Sequence, residues 1–205
     1  INDAFSCSHR KQASIHNITK FVKKSYAGPL LKKEIEAINL VVQNKKEPVT
    51  CIIGGSKIST KINVISNLIN KVNNLIIVGA MANNFFVYKN FKVGKSLIEE
   101  STKEVIKRIY EKADDNKCKI LIPEDCMVST SFTGIGENKD LNTIKDDEII
   151  LDIGLKTIKS IKHKIEQSNT VLWNGPAGYF ENESFMAGTM SIAENISKNT
   201  MQKSL

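Results

Sequence analysis

The chain has no apolar run longer than the stretch from Leu75 to Ala82. That falls far short of the roughly 20 residues a membrane-crossing helix needs, so a soluble protein is expected. Its four cysteines, Cys7, Cys51, Cys118 and Cys126, form no CxxC pair and no Cys/His spacing of the zinc type. Neither a structural metal site nor a thioredoxin-like redox motif is therefore supported, and the thiols read as buried or incidental. Without a disulfide framework or a signal peptide the expected compartment is reducing, hence cytoplasmic. Cys7 stands near His9, but nothing beside it supplies an oxyanion hole. No GxGxxG turn with an acid about 20 residues further on is present, which disfavours a nicotinamide dinucleotide site. Aromatic residues are only 6% of the chain and are not interleaved with the lysines, so stacking on single-stranded nucleic acid is not expected. No internal repeat is visible, which argues against a solenoid.

What is present is an ordinary globular composition, 41% hydrophobic and 25% charged over 205 residues, enough to bury a core without metal or disulfide staples. The formal net charge of +7 admits an anionic partner: nucleic acid, an anionic membrane face or a phosphorylated metabolite. Most lysines are interspersed with acids and Asn, as from Lys103 to Lys112 and from Lys156 to Glu166, the pattern of a solvated helix face. The chain opens with Ile1 in what reads as mid-domain sequence, so the true N-terminus is expected elsewhere.

Hydrophobic spacing gives the architecture. Leu31, Ile35, Ile38 and Val42 recur at helical period, followed by a polar break from Asn44 to Glu47 and Pro48. A β-branched run from Val49 to Ile53 ends in Gly54 and Gly55, and Ile62, Ile65, Leu68 and Val72 resume the helical period. The unit repeats: a strand from Leu75 to Val78 and a helix from Met81 to Tyr88, a helix through Val105, Ile106, Ile109 and Ala113 and a strand from Lys119 to Ile122. A helix through Ile158, Ile161 and Ile165, a strand from Thr170 to Trp173 and a last helix from about Glu183 to Lys198 complete it. The stretch from Pro123 to Asp152 is richer in Ser, Thr, Gly, Asn and Asp and reads as a loop or small β-meander insertion. Short apolar strands alternating with amphipathic helices predict the α/β class, a Rossmann-like parallel sheet with helices on both faces.

In such sheets ligands bind beyond the carboxyl ends of the strands, where glycine turns and helix starts offer free N–H groups. Three segments fall there. Gly54-Gly55-Ser56-Lys57-Ile58-Ser59-Thr60-Lys61 pairs a glycine turn with two lysines, suited to a polyphosphate, or equally a tight turn with solvated lysines; its adjacent glycines rule out a Walker A motif. Val78-Gly79-Ala80-Met81 is the second. Trp173 to Glu181, WNGPAGYFE, is the third: its acid suits ribose hydroxyls, or is a helix-entry acid favoured by the macrodipole. Near the start, His9 and Arg10 form a pair in which Arg is fitted to bidentate phosphate or carboxylate recognition, though such a pair is also common on plain surface.

Taken in order, INDAFSCSHR, AGPLLKKEI, GGSKISTK, GAMANNFF followed by VGKSL, and WNGPAGYFE with FMAGT resemble the phosphoglycerate kinase family over nearly the whole chain. The resemblance implies reversible phosphoryl transfer between 1,3-bisphosphoglycerate and ADP, giving 3-phosphoglycerate and ATP in glycolysis, with Mg2+ carried by the nucleotide and no metal site of the protein's own. It implies a monomer without nucleic-acid or membrane partners. Residues 1–28 would be a remnant of the phosphoglycerate-binding domain, 29–47 an interdomain helix and 48–205 a nucleotide-binding domain truncated at its C-terminal end. His9 and Arg10 inherit substrate binding, and Lys57 and Lys61 contacts to nucleotide phosphates and the transferring group. Gly54, Gly55, Gly79, Asn174, Pro176 and Glu181 would line the nucleotide site, with Glu181 on the ribose. Two departures stand out. Val78-Gly79-Ala80 replaces the family's triple glycine, so added methyls are expected to crowd the adenine pocket. Leu155 replaces the proline of Asp-x-Gly-Pro, which is expected to loosen a rigid turn. The family's N-terminal domain would precede Ile1 and its GGGD segment would follow Leu205, so this chain alone is expected to be inactive. The alternative is a truncated, non-catalytic nucleotide-binding remnant.

Overall fold

The computed structural model describes residues 1–42, 45–199 and 203–204, with side chains described outside 40–42 and 203–204. Asn44, in the break expected before Pro48, lies outside the described residues. The chain divides into two compact units, one of residues 1–45 and one of 46–204.

In the first unit, only Gly28 and Leu31 are buried among the described residues. Asn2 bridges to Ala27, its N–H donating to Tyr26 O at 3.0 Å while Gly28 N–H returns to Asn2 O at 2.7 Å. That bridge brings Asp3 to the start of helix α1 (Pro29–Val42), where its Oδ1 accepts the Leu31 N–H at 2.9 Å. A carboxylate at a helix N-terminus satisfies an amide left over by the helical pattern, and Pro29, which has no N–H, suits the first turn.

The second unit is built on a five-stranded parallel sheet. Strands β1 (Val49–Ile53), β2 (Asn74–Ile77), β3 (Lys119–Leu121), β7 (Thr170–Asn174) and β8 (Lys203–Ser204) lie in the order β3-β2-β1-β7-β8. Helices α2 (Ile62–Ile69), α3 (Met81–Tyr88) and α4 (Lys103–Asp115) pack one face, around Cys51, Ile53, Leu75 and Ile77. Helices α5 (Leu155–Glu166) and α6 (Ala187–Lys198) cover the other, around Ile52, Ile76, Val78 and Val171. The alternation of side chains along each strand divides the core in two, and the full burial of Phe85 and Phe86 on the first face contributes about 1.5–3 kcal/mol apiece. The last helix starts later than its apolar spacing predicts, because Glu183–Phe185 form a separate 3-10 turn before it. The polar helix faces carry exposed ion pairs such as Lys107–Glu111 and Lys162–Glu166, both 3.9 Å, worth little individually.

Residues 123–153 fold as a second, antiparallel sheet of β4 (Asp125–Ser129), β5 (Glu137–Asp140) and β6 (Ile149–Ile153), in the order β5-β4-β6. A meander would place its strands in sequence order; here the first strand is the central one. Asp125, wholly buried, ties this sheet to α5. Its carboxylate accepts Lys156 N–H at 3.0 Å, Thr157 N–H at 2.9 Å, the Thr157 hydroxyl at 2.7 Å and Asn138 Nδ2 at 3.1 Å. The expected loosening at Leu155 is answered here: the Leu155 N–H, which proline would lack, donates to Asn138 Oδ1 at 2.8 Å.

Candidate nucleotide site at the sheet switch point

From β1 the chain winds through α2 to β2, whereas from β7 it winds through α6 on the opposite face to β8, so β1 and β7 flank the point where the winding direction reverses. The crevice beyond their carboxyl ends is where open α/β sheets bind ligands. Three glycine turns close it. Gly54 N–H donates to Asn174 O at 2.8 Å, Gly79 N–H to Ala177 O at 3.1 Å and Met81 N–H to Gly55 O at 2.8 Å. A Cβ on Gly54 would collide with Pro176 O, and one on Gly79, at φ 69°, would lie 2.8 Å from Gly55 N. Only residues without side chains allow main chain to meet main chain this closely.

Lys61, half-buried at the start of α2, spans the crevice. Its Nζ donates to Gly54 O and to Asn174 Oδ1, both at 2.7 Å, joining the ends of β1 and β7. No carboxylate pairs with it among the described residues. Burial lowers its pKa from the ordinary lysine value, slightly offset by Cys51. Lys57 is exposed on the same turn.

Beside this turn opens a cavity of about 530 Å3 lined by Gly55, Gly79, Pro176 and Glu181. Its walls are mostly apolar, with Ala80, Phe86, Leu97, Ile150 and Phe132 among them. Glu181 is exposed at the rim and makes no hydrogen bond or ion pair among the described residues. Phe132 and Tyr179 meet edge to face there, ring centroids 5.3 Å apart. The structure therefore gathers Gly54, Gly55, Lys61, Gly79, Asn174 and Pro176 at one crevice, with Glu181 in the lining of the adjoining cavity and Lys57 exposed on the lysine turn. His9 and Arg10 belong to the first unit; both are exposed, and neither side chain forms a hydrogen bond or ion pair among the described residues.

Of the two added methyl-bearing residues near Gly79, only Ala80 faces the cavity; Val78 is wholly buried in the second core cluster with Ile52 and Ile76. A further wall was not assigned to the site from sequence, although VGKSL and Cys126 were noted there: Lys95, Leu97, Cys126 and Ile149 to Ile153 line it, mostly from the stretch read as an insertion. The short apolar pieces Met127–Val128 and Ile149–Leu151 were the available signal. Asp152, 3% exposed, lies in that wall and accepts N–H groups from Ile153 and from Gly188 at the start of α6, both at 2.8 Å. Burial pushes its pKa up to about 6 against the pull of those two bonds. Cys126 and Cys51 are buried free thiols; burial raises both, Cys51 to about 12.

A family model described as phosphoglycerate kinase matches residues 1–205. The chain belongs to the phosphoglycerate kinase family. It is 43% identical over 201 residues to a phosphoglycerate kinase of Wolbachia pipientis wMel, covering 98% of this chain and 50% of that protein. Against a phosphoglycerate kinase of Finegoldia magna it is 43% identical over 201 residues, 97% of this chain and 51% of the relative. The solved phosphoglycerate kinase of Coxiella burnetii superimposes with a TM-score of 0.91 at 35% identity, covering 98% of this chain and 52% of that one. The enzyme from Pyrococcus horikoshii gives 0.80 at 26%, covering 97% and 51%. The chain thus spans about half the length of the phosphoglycerate kinases it matches. Among the described residues, no helix is long and apolar enough to cross a membrane.

Proposed function

We propose that this chain carries the nucleotide half of a phosphoglycerate kinase site and binds ADP or ATP with accompanying Mg2+ at the crevice between β1 and β7. The observation that carries this reading is Lys61: a half-buried ammonium held by two neutral oxygens, with no carboxylate partner among the described residues, beside a largely apolar cavity. A cation so placed favours an anionic ligand, and the cavity offers an adenine ring a dry, flat neighbour. Glu181 on the rim accepts the ribose hydroxyls. The metal arrives on the nucleotide phosphates, where Lys57 and Lys61 share the neutralisation of charge. Phosphoryl transfer asks mainly for alignment and cationic compensation, which the lysine turn supports. In the parent reaction, 1,3-bisphosphoglycerate and ADP give 3-phosphoglycerate and ATP, with His9 and Arg10 contributing to phosphoglycerate binding from the first unit.

The test is calorimetry of MgADP with the 205-residue chain, its Lys61→Ala variant and its Glu181→Ala variant. Lys61→Ala is expected to weaken binding at least about tenfold, and Glu181→Ala about threefold, as for one charge-assisted and one ordinary hydrogen-bonded contact. Absence of heat with the unaltered chain would sink the reading. Because the chain spans half the length of its relatives, a second reading is nucleotide binding without turnover. A coupled assay with 3-phosphoglycerate and ATP separates the two.

A further inference from the structure

The segment of residues 95–102 passes along the cavity, which Lys95 and Leu97 line, and is fastened to α3 by two adjacent buried asparagines. Asn83 Nδ2 donates to Leu97 O at 2.9 Å, and Asn84 Oδ1 accepts the Glu99 N–H at 2.9 Å. Held this way, Glu99 turns its carboxylate to the lysine turn: Oε2 accepts the Ser59 N–H at 3.0 Å and Oε1 the Ser59 hydroxyl. Ser59 lies midway between Lys57 and Lys61. On either side of it, the wholly buried Ile58 accepts the Lys61 N–H at 2.9 Å and Thr60 Oγ1 donates to Lys57 O at 3.0 Å.

Helix α2 starts at this turn with no side-chain cap of its own, since Lys61 occupies the N-cap position and points its ammonium into the crevice instead. The two bonds that Ser59 donates to Glu99 fix the chain two residues ahead of that position, outside the helix. They are charge-assisted, and so stronger than neutral hydrogen bonds. Glu99 forms no ion pair or hydrogen bond with either lysine among the described residues; it feels the charge of Lys57, and its direct hold on the turn is through the Ser59 N–H and hydroxyl.

We propose that Glu99 is a positioning residue for the phosphate-binding turn, holding Lys57 and Lys61 in register and linking that register, through Asn84 and Asn83, to the cavity wall at Leu97. This rests on the nucleotide reading of the crevice. A ligand that orders the Leu97 wall then also orders the turn that meets its anionic end. Alignment of charged groups is the part of such a site most sensitive to small displacements.

Amide hydrogen exchange and MgADP calorimetry on Glu99→Ala and Glu99→Gln variants of the 205-residue chain test this. Exchange at residues 58–61 is expected to quicken at least about tenfold in Glu99→Ala while β1 is unchanged, and the MgADP Kd to rise about tenfold. Glu99→Gln, which keeps one acceptor oxygen, should recover at least half of both effects on a logarithmic scale. Unchanged exchange at 58–61, equal acceleration through β1 and α2, or an unchanged Kd in Glu99→Ala overturns the proposal. If the unaltered chain binds no MgADP the nucleotide reading fails by itself, and exchange at 58–61 still decides whether Glu99 orders the turn.

Discussion

Asp125 and Asp152 are both buried carboxylates that receive amides from the first turn of a helix on the same side of the sheet, yet their surroundings drive them in opposite directions. Burial alone would raise both. At Asp125 it is outweighed by donors from Lys156, Thr157 and Asn138, and its pKa falls below the ordinary carboxylate value. At Asp152 the Gly188 and Ile153 amides do not outweigh it, and the value rises to about 6. Both are shut off from solvent, at 0% and 3% exposed, yet Asp152 sits deeper among protein atoms than Asp125. The donors differ as well: four bonds reach Asp125 and two reach Asp152, so the carboxylate that burial penalises more is also the one with fewer donors.

The largest break in this comparison is Asp125→Ala. It strands four donors in a dry site, and urea unfolding at pH 7 should show a loss of about 4 kcal/mol or more. A loss under about 1 kcal/mol would mean that water replaces the carboxylate and that the network is not what holds α5 to the second sheet.

The pH profiles sharpen it. Asp152 has its folded value raised, so the stability it contributes is fully present below its unfolded value, near 3.8, and is lost as pH rises through about 6. Asp125 has its folded value depressed; its contribution is present above the unfolded value and is lost only as pH falls through the lower, folded one. Subtracting the Asp152→Asn stability curve from that of the unaltered chain should leave a decline of about 2–3 kcal/mol between pH 4 and 8. Parallel curves would place Asp152 among ordinary acids.

Leu155→Pro gives the smallest effect. Proline suits the first position of a helix but cannot donate to Asn138, so the two changes should nearly cancel, within about 1 kcal/mol by thermal unfolding. A larger loss would mean that the Leu155–Asn138 bond is needed to orient Asn138 on Asp125.

These carboxylates also mark where sequence stops being informative. The runs Val49–Ile53 and Thr170–Trp173, with the glycines after them, announce buried parallel strands and a crevice because a strand covered on both faces needs continuous apolar residues. Asp125 and Asp152 are joined to helices 31–36 residues further along, and such bonds leave no periodic trace. Strand β5, Glu137–Asp140, is polar and mostly exposed, so it has no alternation to read, and the β5-β4-β6 order follows from pairing rather than from any one segment. Lys61 stood out by its spacing from the glycines. Glu99 did not, because its partner Ser59 is 40 residues away and the two meet only through the packing of α3.

The switch point also sets an order of events during synthesis. One wall of the crevice is made when residues 49–53 emerge from the ribosome, and the other only when residues 170–174 do. At about 5–20 residues per second, the strand that bears the Gly54 turn waits on the order of ten seconds with its second edge unpaired. Through that interval the nascent chain presents a bare, β-branched edge open to other chains, and the β7 segment that completes the site is also the segment that ends the exposure.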